Sequence, residues 1–288
     1  MDVTDLLQLA IYGVVLGSIL TLGAIGVSLL FGILRFSNFA HGDIMTLGAY
    51  AAFAVVSILH TPVWLALPVG MIAGALVAVA ADQLVYRRLR RTQPVILLIS
   101  SFGMALIIRS LVQLIWGPQD RSFIKGIDMP MHFGDLMVSP QQLWILGGTI
   151  VIVIAVHLFL TRTRMGKAMR AMSDNMDLAR VTGIDAEKVI IWTWALGGAL
   201  AAAAGVFLAL DTRLTPMMGW SALLPIFAAA ILGGFGKPYG AIVGGMIIGV
   251  ASEMSTAVLP PAYKPATAFA VMVIMLVVRP NGLLGARR

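Results

Sequence analysis

Cysteine is absent from the 288 residues, and charge is scarce: Asp, Glu, Lys and Arg together make up 11%. The first absence excludes disulfides, a thiol nucleophile and Cys-ligated zinc. It marks no compartment. The second excludes a water-covered globular enzyme, because an average soluble domain is about a quarter charged and too little polar sequence remains to cover a wetted surface. Aromatics are an ordinary 8%. Catalytic patterns are missing too. No Walker A loop occurs: Gly166-Lys167 and Gly236-Lys237 are followed by Ala168 and Pro238 rather than Ser or Thr, so no phosphate cradle is encoded. HExxH and GxSxG are absent. His41, His60, His132 and His157 are scattered and lack metal-ligand spacing, so neither a catalytic residue nor a metal site is expected.

What is present is apolar. Hydrophobic residues reach 59%, which excludes disorder. Charge-free runs cover Leu6–Leu34, Ile44–Ala81, Leu136–Thr161, Val189–Leu210 and Leu214–Gly236. A crossing helix needs about 20 apolar residues, and these runs do not alternate as barrel strands do. The 44–81 run is long enough for two crossings, with His60-Thr61-Pro62 as the break. Pro94–Trp116 is interrupted only by Arg109, Tyr239–Leu259 contains Glu253, and Pro265–Val278 is short. The expectation is all-α: one polytopic transmembrane bundle over residues 1–288, with eight or nine hydrophobic segments. The stretches 44–60 and 221–236 are the candidates for short or broken helices. Asp2 and Asp5 stand where a cleavable signal has basic residues, so the first run reads as a retained helix.

Basic residues set the sides. Arg87, Arg88, Arg90 and Arg91 fall in one loop. Arg162, Arg164, Lys167, Arg170, Arg180 and Lys188 fall in another, and Arg279, Arg287 and Arg288 in the tail. With Arg35 and Lys237, these hold most of the 20 basic residues. Placing them in the cytoplasm puts the 117–140 loop (Arg121, Lys125, Asp120, Asp128, Asp135) and the N-terminus outside, and the C-terminus inside. The net charge of +7 is then an inside-loop excess and implies no nucleic-acid partner.

Gly13/Gly17, Gly70/Gly74, Gly240/Gly244 and Gly245/Gly249 have GxxxG spacing, and Gly197, Ala201 and Gly205 continue it. Such faces let helices approach closely in lipid. Few ionisable residues sit within the spans: Arg109, Glu253 and Asp43. Arg109 lies about 10 Å along a helix from Trp116, near enough to snorkel to the outer interface, and Glu253 lies similarly near an outer end. An ion-coupled carrier needs more intramembrane charge than this.

The loop at 161–188 is the sharpest feature. Ala168, Ala171, Met172, Asn175, Leu178, Ala179 and Thr182 recur at helical spacing, which predicts one amphipathic helix with a small-residue face. Gly183 is placed to stop it in a left-handed cap, and Asp185 to cap the helix that follows. The face is acidic and small, with Ser173, Asp174 and Asp177 between its apolar positions. That suits a groove on a partner protein better than a lipid surface.

Several ordered motifs then carry a family resemblance: Ser37-Asn38-Phe39-Ala40-His41-Gly42-Asp43 with Leu47-Gly48-Ala49-Tyr50; Arg164 to Ala171, continuing to Thr182-Gly183-Ile184; Ala230-Ile231-Leu232-Gly233-Gly234-Phe235-Gly236 with Pro238-Tyr239-Gly240; and Arg279-Pro280-Asn281-Gly282-Leu283-Leu284-Gly285. Over about residues 8–285 the chain resembles the LivH-type inner-membrane permeases of branched-chain amino-acid ABC importers. Asp43 departs from the Glu expected there and keeps the charge.

The resemblance implies a transport subunit that binds no cofactor itself. It implies a second, LivM-like permease, two cytoplasmic ATPase subunits that use ATP and Mg, and a periplasmic binding protein that delivers Leu, Ile or Val. The multi-pass chain would lie in a bacterial inner membrane, with 161–188 as the coupling loop and Ala171, Met172, Asn175, Leu178, Ala179 and Gly183 as its coupling residues. Asn38, His41, Gly42, Asp43, Gly233, Gly234 and Gly236 are candidates for the pathway or for helix breaks beside it. Permeases for urea or short-chain amides carry similar motifs, and the residues do not separate the two. The alternative from another class is a stand-alone ion-coupled carrier.

Overall fold

Small residues decide which helices meet. A computed structural model describes residues 3–90, 92–123, 130–134 and 136–285. Of the charges used to assign sides, Asp2, Arg91, Lys125, Asp128, Asp135, Arg287 and Arg288 lie outside the described residues. Twelve α-helical pieces dominate those residues: α1 Val3–Leu34, α2 Ala40–Leu59, α3 Val63–Ala81, α4 Arg87–Leu89, α5 Pro94–Trp116, α6 Pro140–Arg162, α7 Arg164–Asp174, α8 Met176–Val181, α9 Ala186–Asp211, α10 Met218–Gly233, α11 Pro238–Met254 and α12 Lys264–Val278. A π-turn, Asp82–Tyr86, joins α3 to α4. The only sheet among the described residues is one short hairpin, β1 Met131–Phe133 on β2 Leu136–Val138.

Eight helices are long and apolar enough to cross a membrane, and Met218–Gly233 is a shorter apolar ninth. The expectation of eight or nine segments holds. At 16 residues α10 spans about 24 Å, short of a full crossing, and it carries Pro225 in its interior. The other suspected half-span is different. α2 has 20 residues, enough to cross by length, but it starts in an unusual place, described below.

α1 is the central helix, buried over 83% of its most apolar window. It shows no single apolar stripe because it is packed on all sides. α11 runs antiparallel along it. A Cβ added at Gly13 would meet Val250 Cα at 2.7 Å, and one at Gly249 would land on the backbone nitrogen of Gly17. α9 packs on α1, α2 and α3 through an Ala/Gly core, with Gly197, Gly198, Ala201–Ala204 and Gly205 all buried. Lipid tails are as apolar as leucine, so close backbone packing replaces the hydrophobic drive that folds soluble bundles. α5, α6 and α12 are exposed along much of their length.

The basic loops collect at one end. Arg90 bonds Asp82 and Glu187, the latter at 2.9 Å, and Arg87 lies 3.4 Å from Glu187. Arg35 donates to the Ser173 carbonyl at 3.0 Å. At the opposite end the hairpin meets the start of α1, with Gln8 bonding Met137 at 2.7 and 2.9 Å. Arg121 and Leu214 form a backbone bridge there. The alternation inferred from charge is therefore the alternation of the fold. Glu253, expected near an outer end, pairs with Lys264 at 2.6 Å at that same opposite end.

Gly249→Val should disrupt the α1–α11 contact and cost at least about 1–3 kcal/mol from overpacking. Gly147→Val is the control, since a Cβ there meets nothing within 4 Å. Thermal unfolding in detergent reads the difference: a large loss for the first, little change for the second.

Candidate functional site

α2 begins inside the bundle, beside the middle of α1. After Leu34 the chain reverses at Arg35, whose φ is +59°, and residues 35–39 run back along the bundle. The His41 imidazole then sits against Gly23 and Gly26 of α1, its Nε2 3.1 Å from the Gly23 carbonyl oxygen. Gly26 is about 12 Å along α1 from Leu34. On the far side, Phe39 N–H donates to Ser101 Oγ at 3.0 Å, about 10 Å into α5 from Pro94.

The break is pinned by buried groups. Asn38 is 3% exposed. Its Oδ1 accepts from Ala40 N–H at 3.1 Å, which satisfies a donor at a buried helix start, and from the Tyr86 hydroxyl at 3.3 Å. The π-turn brings Tyr86 inward, where it stacks on Trp194 at 5.1 Å and meets Phe36 at 5.6 Å. Asn38 and His41 thus fix the break and face neighbouring helices. Gly42 does related work. A Cβ there would strike the Gly219 carbonyl, so α2 and α10 start in backbone contact, and Gly219 N–H donates to Thr46 Oγ1 at 3.1 Å.

Asp43 is the residue of this motif that reaches another charge. It is fully buried, and both its oxygens bond Arg109: Nε to Oδ1 at 2.9 Å, Nη2 to Oδ2 at 3.0 Å. The expected snorkelling of Arg109 to the outer interface does not occur, because a bidentate carboxylate within reach neutralises it in place. Its guanidinium also lies over the Trp220 ring, 4.9 Å from the centroid. Trp220 meets Phe102 edge-on at 5.6 Å, and Phe39 meets Phe227 at 5.5 Å. α5 and α10 both pack on α2. Asp43, Arg109, Phe102 and Trp220 thus form one contiguous cluster where the three helices meet, with the Phe39–Phe227 pair as a further contact. Trp220 and Phe102 carried no periodic or motif signal. The Asp43–Arg109 pair did have one, since two opposite charges within spans must find each other or pay for burial.

The late glycine signature forms a second break, at the basic end. Gly234 (φ +102°) and Gly236 (φ +78°) turn the chain from α10 into α11, and Gly233 lies against Gly240 across that turn. The tail motif docks there: Leu283 and Leu284 N–H groups donate to the Leu232 and Gly233 carbonyls at 2.9 and 3.2 Å. Gly236 also touches Gly32 at the end of α1.

The loop at 161–188 differs from its expected form. Instead of one helix there are two, α7 and α8, broken at Asn175. Its Oδ1 accepts from Leu178 N–H at 3.0 Å; an Asn side chain in mid-run competes for backbone donors and restarts the helix. Met172 and Ala179 are 2% and 4% exposed. They pack the loop onto its own chain, and Ala171 is half-buried. The exposed apolar residues are Leu178 and Val181, at 62% and 85%. Gly183 has φ +87° and ends α8 in a Schellman cap, with Ile184 N–H to the Ala179 carbonyl and Gly183 N–H to the Arg180 carbonyl, both 3.1 Å. Asp185 caps α9 through Lys188 N–H at 3.2 Å. That backbone bond, with the Lys188 ammonium, holds its carboxyl below the usual range.

Comparison with known proteins now decides the class. Residues 9–276 match the family described as branched-chain amino acid transport system, permease component. The chain belongs to this permease family. It is 34% identical to the high-affinity branched-chain amino acid transport system permease protein LivH of Salmonella typhimurium, over 97% of this chain and 95% of that one. It is 30% identical to the corresponding permease BraD of Pseudomonas aeruginosa, over 99% and 97%. Among solved structures, PsaBC from Streptococcus pneumoniae in complex with Fab matches with a TM-score of 0.52 at 14% identity, covering 96% of this chain and 92% of that one. An inward-facing conformation of a putative metal-chelate type ABC transporter matches with a TM-score of 0.51, also at 14% identity, covering 94% and 85%. At that identity the likeness extends to the fold alone. The chain is a multi-pass inner-membrane permease of the ABC importer class.

Asp43→Asn should leave Arg109 unpaired inside the bundle and cost about 3–5 kcal/mol. Asp43→Asn with Arg109→Gln removes both charges and should recover most of that loss. Thermal unfolding of the three proteins in detergent checks this. Equal losses in the single and double variants would show that the pair contributes little.

Proposed function

We propose that this chain is one of two permeases in an ATP-driven importer for branched-chain amino acids, with a LivM-like partner, two ATPase subunits and a periplasmic binding protein. The observation that carries the reading is the end-to-end match to LivH and BraD, at full length on both sides. The missing phosphate loop supports it: the motor is on another chain. The N-terminus lies outside and the basic end faces the cytoplasm, as positive loop charge directs.

In this reading α8 is the coupling knob. Leu178 and Val181 enter a groove on the ATPase, while Met172, Ala179, Gly183 and the Asn175 cap hold the knob rigid. Ala171 supports the same helix. Movement of the ATPases then reaches Gly32 and Gly236 through α7, which lies against both breaks: a Cβ on Gly32 would meet Ser173 Oγ at 2.9 Å. Nucleotide state and pore state share free energy through that contact. Of the motif residues, Asp43 lies on the pathway. Asn38, His41, Gly42, Gly233, Gly234 and Gly236 set the breaks that allow its walls to move.

Leu178→Asp and Val181→Asp should abolish ATPase association, read by co-purification, while membrane insertion and thermal stability stay unchanged. Ala179→Asp should instead destabilise the chain itself. Normal assembly of both exposed-site variants would reject docking at α8. In liposomes, the assembled transporter should accumulate leucine only with ATP and binding protein. Uptake driven by a proton or sodium gradient without ATP would overturn the importer reading, and uptake of urea in place of leucine would move the substrate to the amide branch.

A further inference from the structure

A cavity at the basic end has a chemistry that helix packing does not explain. It holds about 250 Å³ between the α1–α2 break, the π-turn and the α7–α8 pair. Its polar edge is built by Asp82 and Arg90, whose side chains are 1% and 17% exposed. Arg90 Nη1 bonds Glu187, and Nη2 bonds Asp82 Oδ2. Gln83 reaches the same Oδ2 at 3.5 Å. Two atoms are left over: Arg90 Nε, a donor, and Asp82 Oδ1, an acceptor, both buried and without a partner. Trp194 Nε1 faces that carboxylate and also ends without a bond. Unpaired atoms on buried charged groups are costly. Arg35 and Arg180 line the exposed side of the cavity. The remaining walls are apolar and include Phe36, Leu97, Met172 and Ile190, all buried. Being buried, they do not open the cavity to lipid.

We infer that this cavity binds the imported molecule on its cytoplasmic side, as a free zwitterionic amino acid, and that its occupancy slows further import. The inference rests on the importer reading above. The fit involves two charges and one apolar group. Arg90 Nε donates to the carboxylate, and Arg35 and Arg180 add attraction. Asp82 Oδ1 accepts from the ammonium, and the side chain lies against Leu97, Met172 and Ile190. A lone anion would meet the Asp82 carboxylate, and a lone cation the three arginines. The volume falls below the about 300–1,000 Å³ of sites for drug-sized ligands, which suits a molecule as small as an amino acid.

Position makes the site a brake. Met172, Met176 and Arg180 on one side belong to α7 and α8. Asp82 and Arg90 on the other belong to the π-turn and the end of α4. A ligand bonded across them favours the arrangement in which both are in reach and holds the coupling pair there. Opening to the cytoplasm, the site fills as the product accumulates.

The test uses the assembled transporter in vesicles, with the ATPases facing outward and the binding protein and leucine inside. ATP hydrolysis is followed as leucine is added outside. Added leucine should slow hydrolysis severalfold. Leucinamide, which lacks the carboxylate, and isocaproate, which lacks the ammonium, should not at the same concentrations. Arg90→Lys keeps the charge that Asp82 and Glu187 need but has no Nε donor, and Leu97→Phe fills the apolar end. Each should raise the leucine concentration for half-inhibition about tenfold, equivalent to about 1.4 kcal/mol, with rates referred to each variant's own leucine-free rate. No slowing by leucine, or the same half-inhibition in both variants as in the unmodified protein, would overturn the site. Slowing by isocaproate as strong as by leucine would do the same, since it would assign the cavity to anions. Binding of labelled leucine to the complex in detergent, without binding protein or nucleotide, should weaken about tenfold in the same two variants. That measurement reads the site where no transport occurs, so binding without ATP-driven leucine import would reject the importer reading and keep the site.

Discussion

Close backbone contact around α1 is the constraint on which the structure depends. Without water to drive apolar surfaces together, helices in lipid associate through packing and polar contacts. Here the first of these comes from glycine and alanine. Gly13, Gly17, Gly245 and Gly249 join α1 to α11, and Gly26 and Gly197 bring α1 and α9 close enough to enclose the His41 ring. The two helix breaks rest on this core. α2 starts in mid-bundle because His41 fits against Gly23 and Gly26, and α11 starts where Gly236 meets Gly32. A larger side chain in these seams would move both breaks.

The site shows the same economy with polar groups. Buried backbone donors at an internal helix start need partners, and Asn38 supplies one for α2. A buried charge needs a counter-charge, and Asp43 and Arg109 supply each other. Among the described residues, buried side-chain atoms without a partner include Asn38 Nδ2 and His41 Nδ1, both in the same break.

Much of this was legible from the residues. Span positions follow from charge-free length, and the alternation of ends follows from Arg and Lys, because both reflect costs paid per residue. Gly183 and Asp185 also read correctly, since caps are local. The loop at 161–188 departs from the single helix that spacing predicts, because spacing places Asn175 on the apolar face whereas its side chain caps a new start. Burial of Met172 and Ala179 depends on α6 and α9, which local periodicity does not report. Arg109 was assigned to the interface by its distance from Trp116. Its true partner is 66 residues away, and only the re-entrant start of α2 brings them together. Trp220 and Phe102 had no pattern to mark them.

The break at residues 35–39 can also be considered electrically. A membrane is an insulator, and a non-helical polar segment that re-enters it thins the insulator locally, so the transmembrane voltage falls over a shorter distance near Asp43. Each net charge moved through that drop would exchange about 2.3 kcal/mol per 100 mV. The Asp43–Arg109 pair has no net charge. The field therefore does no net work when the pair moves as a unit.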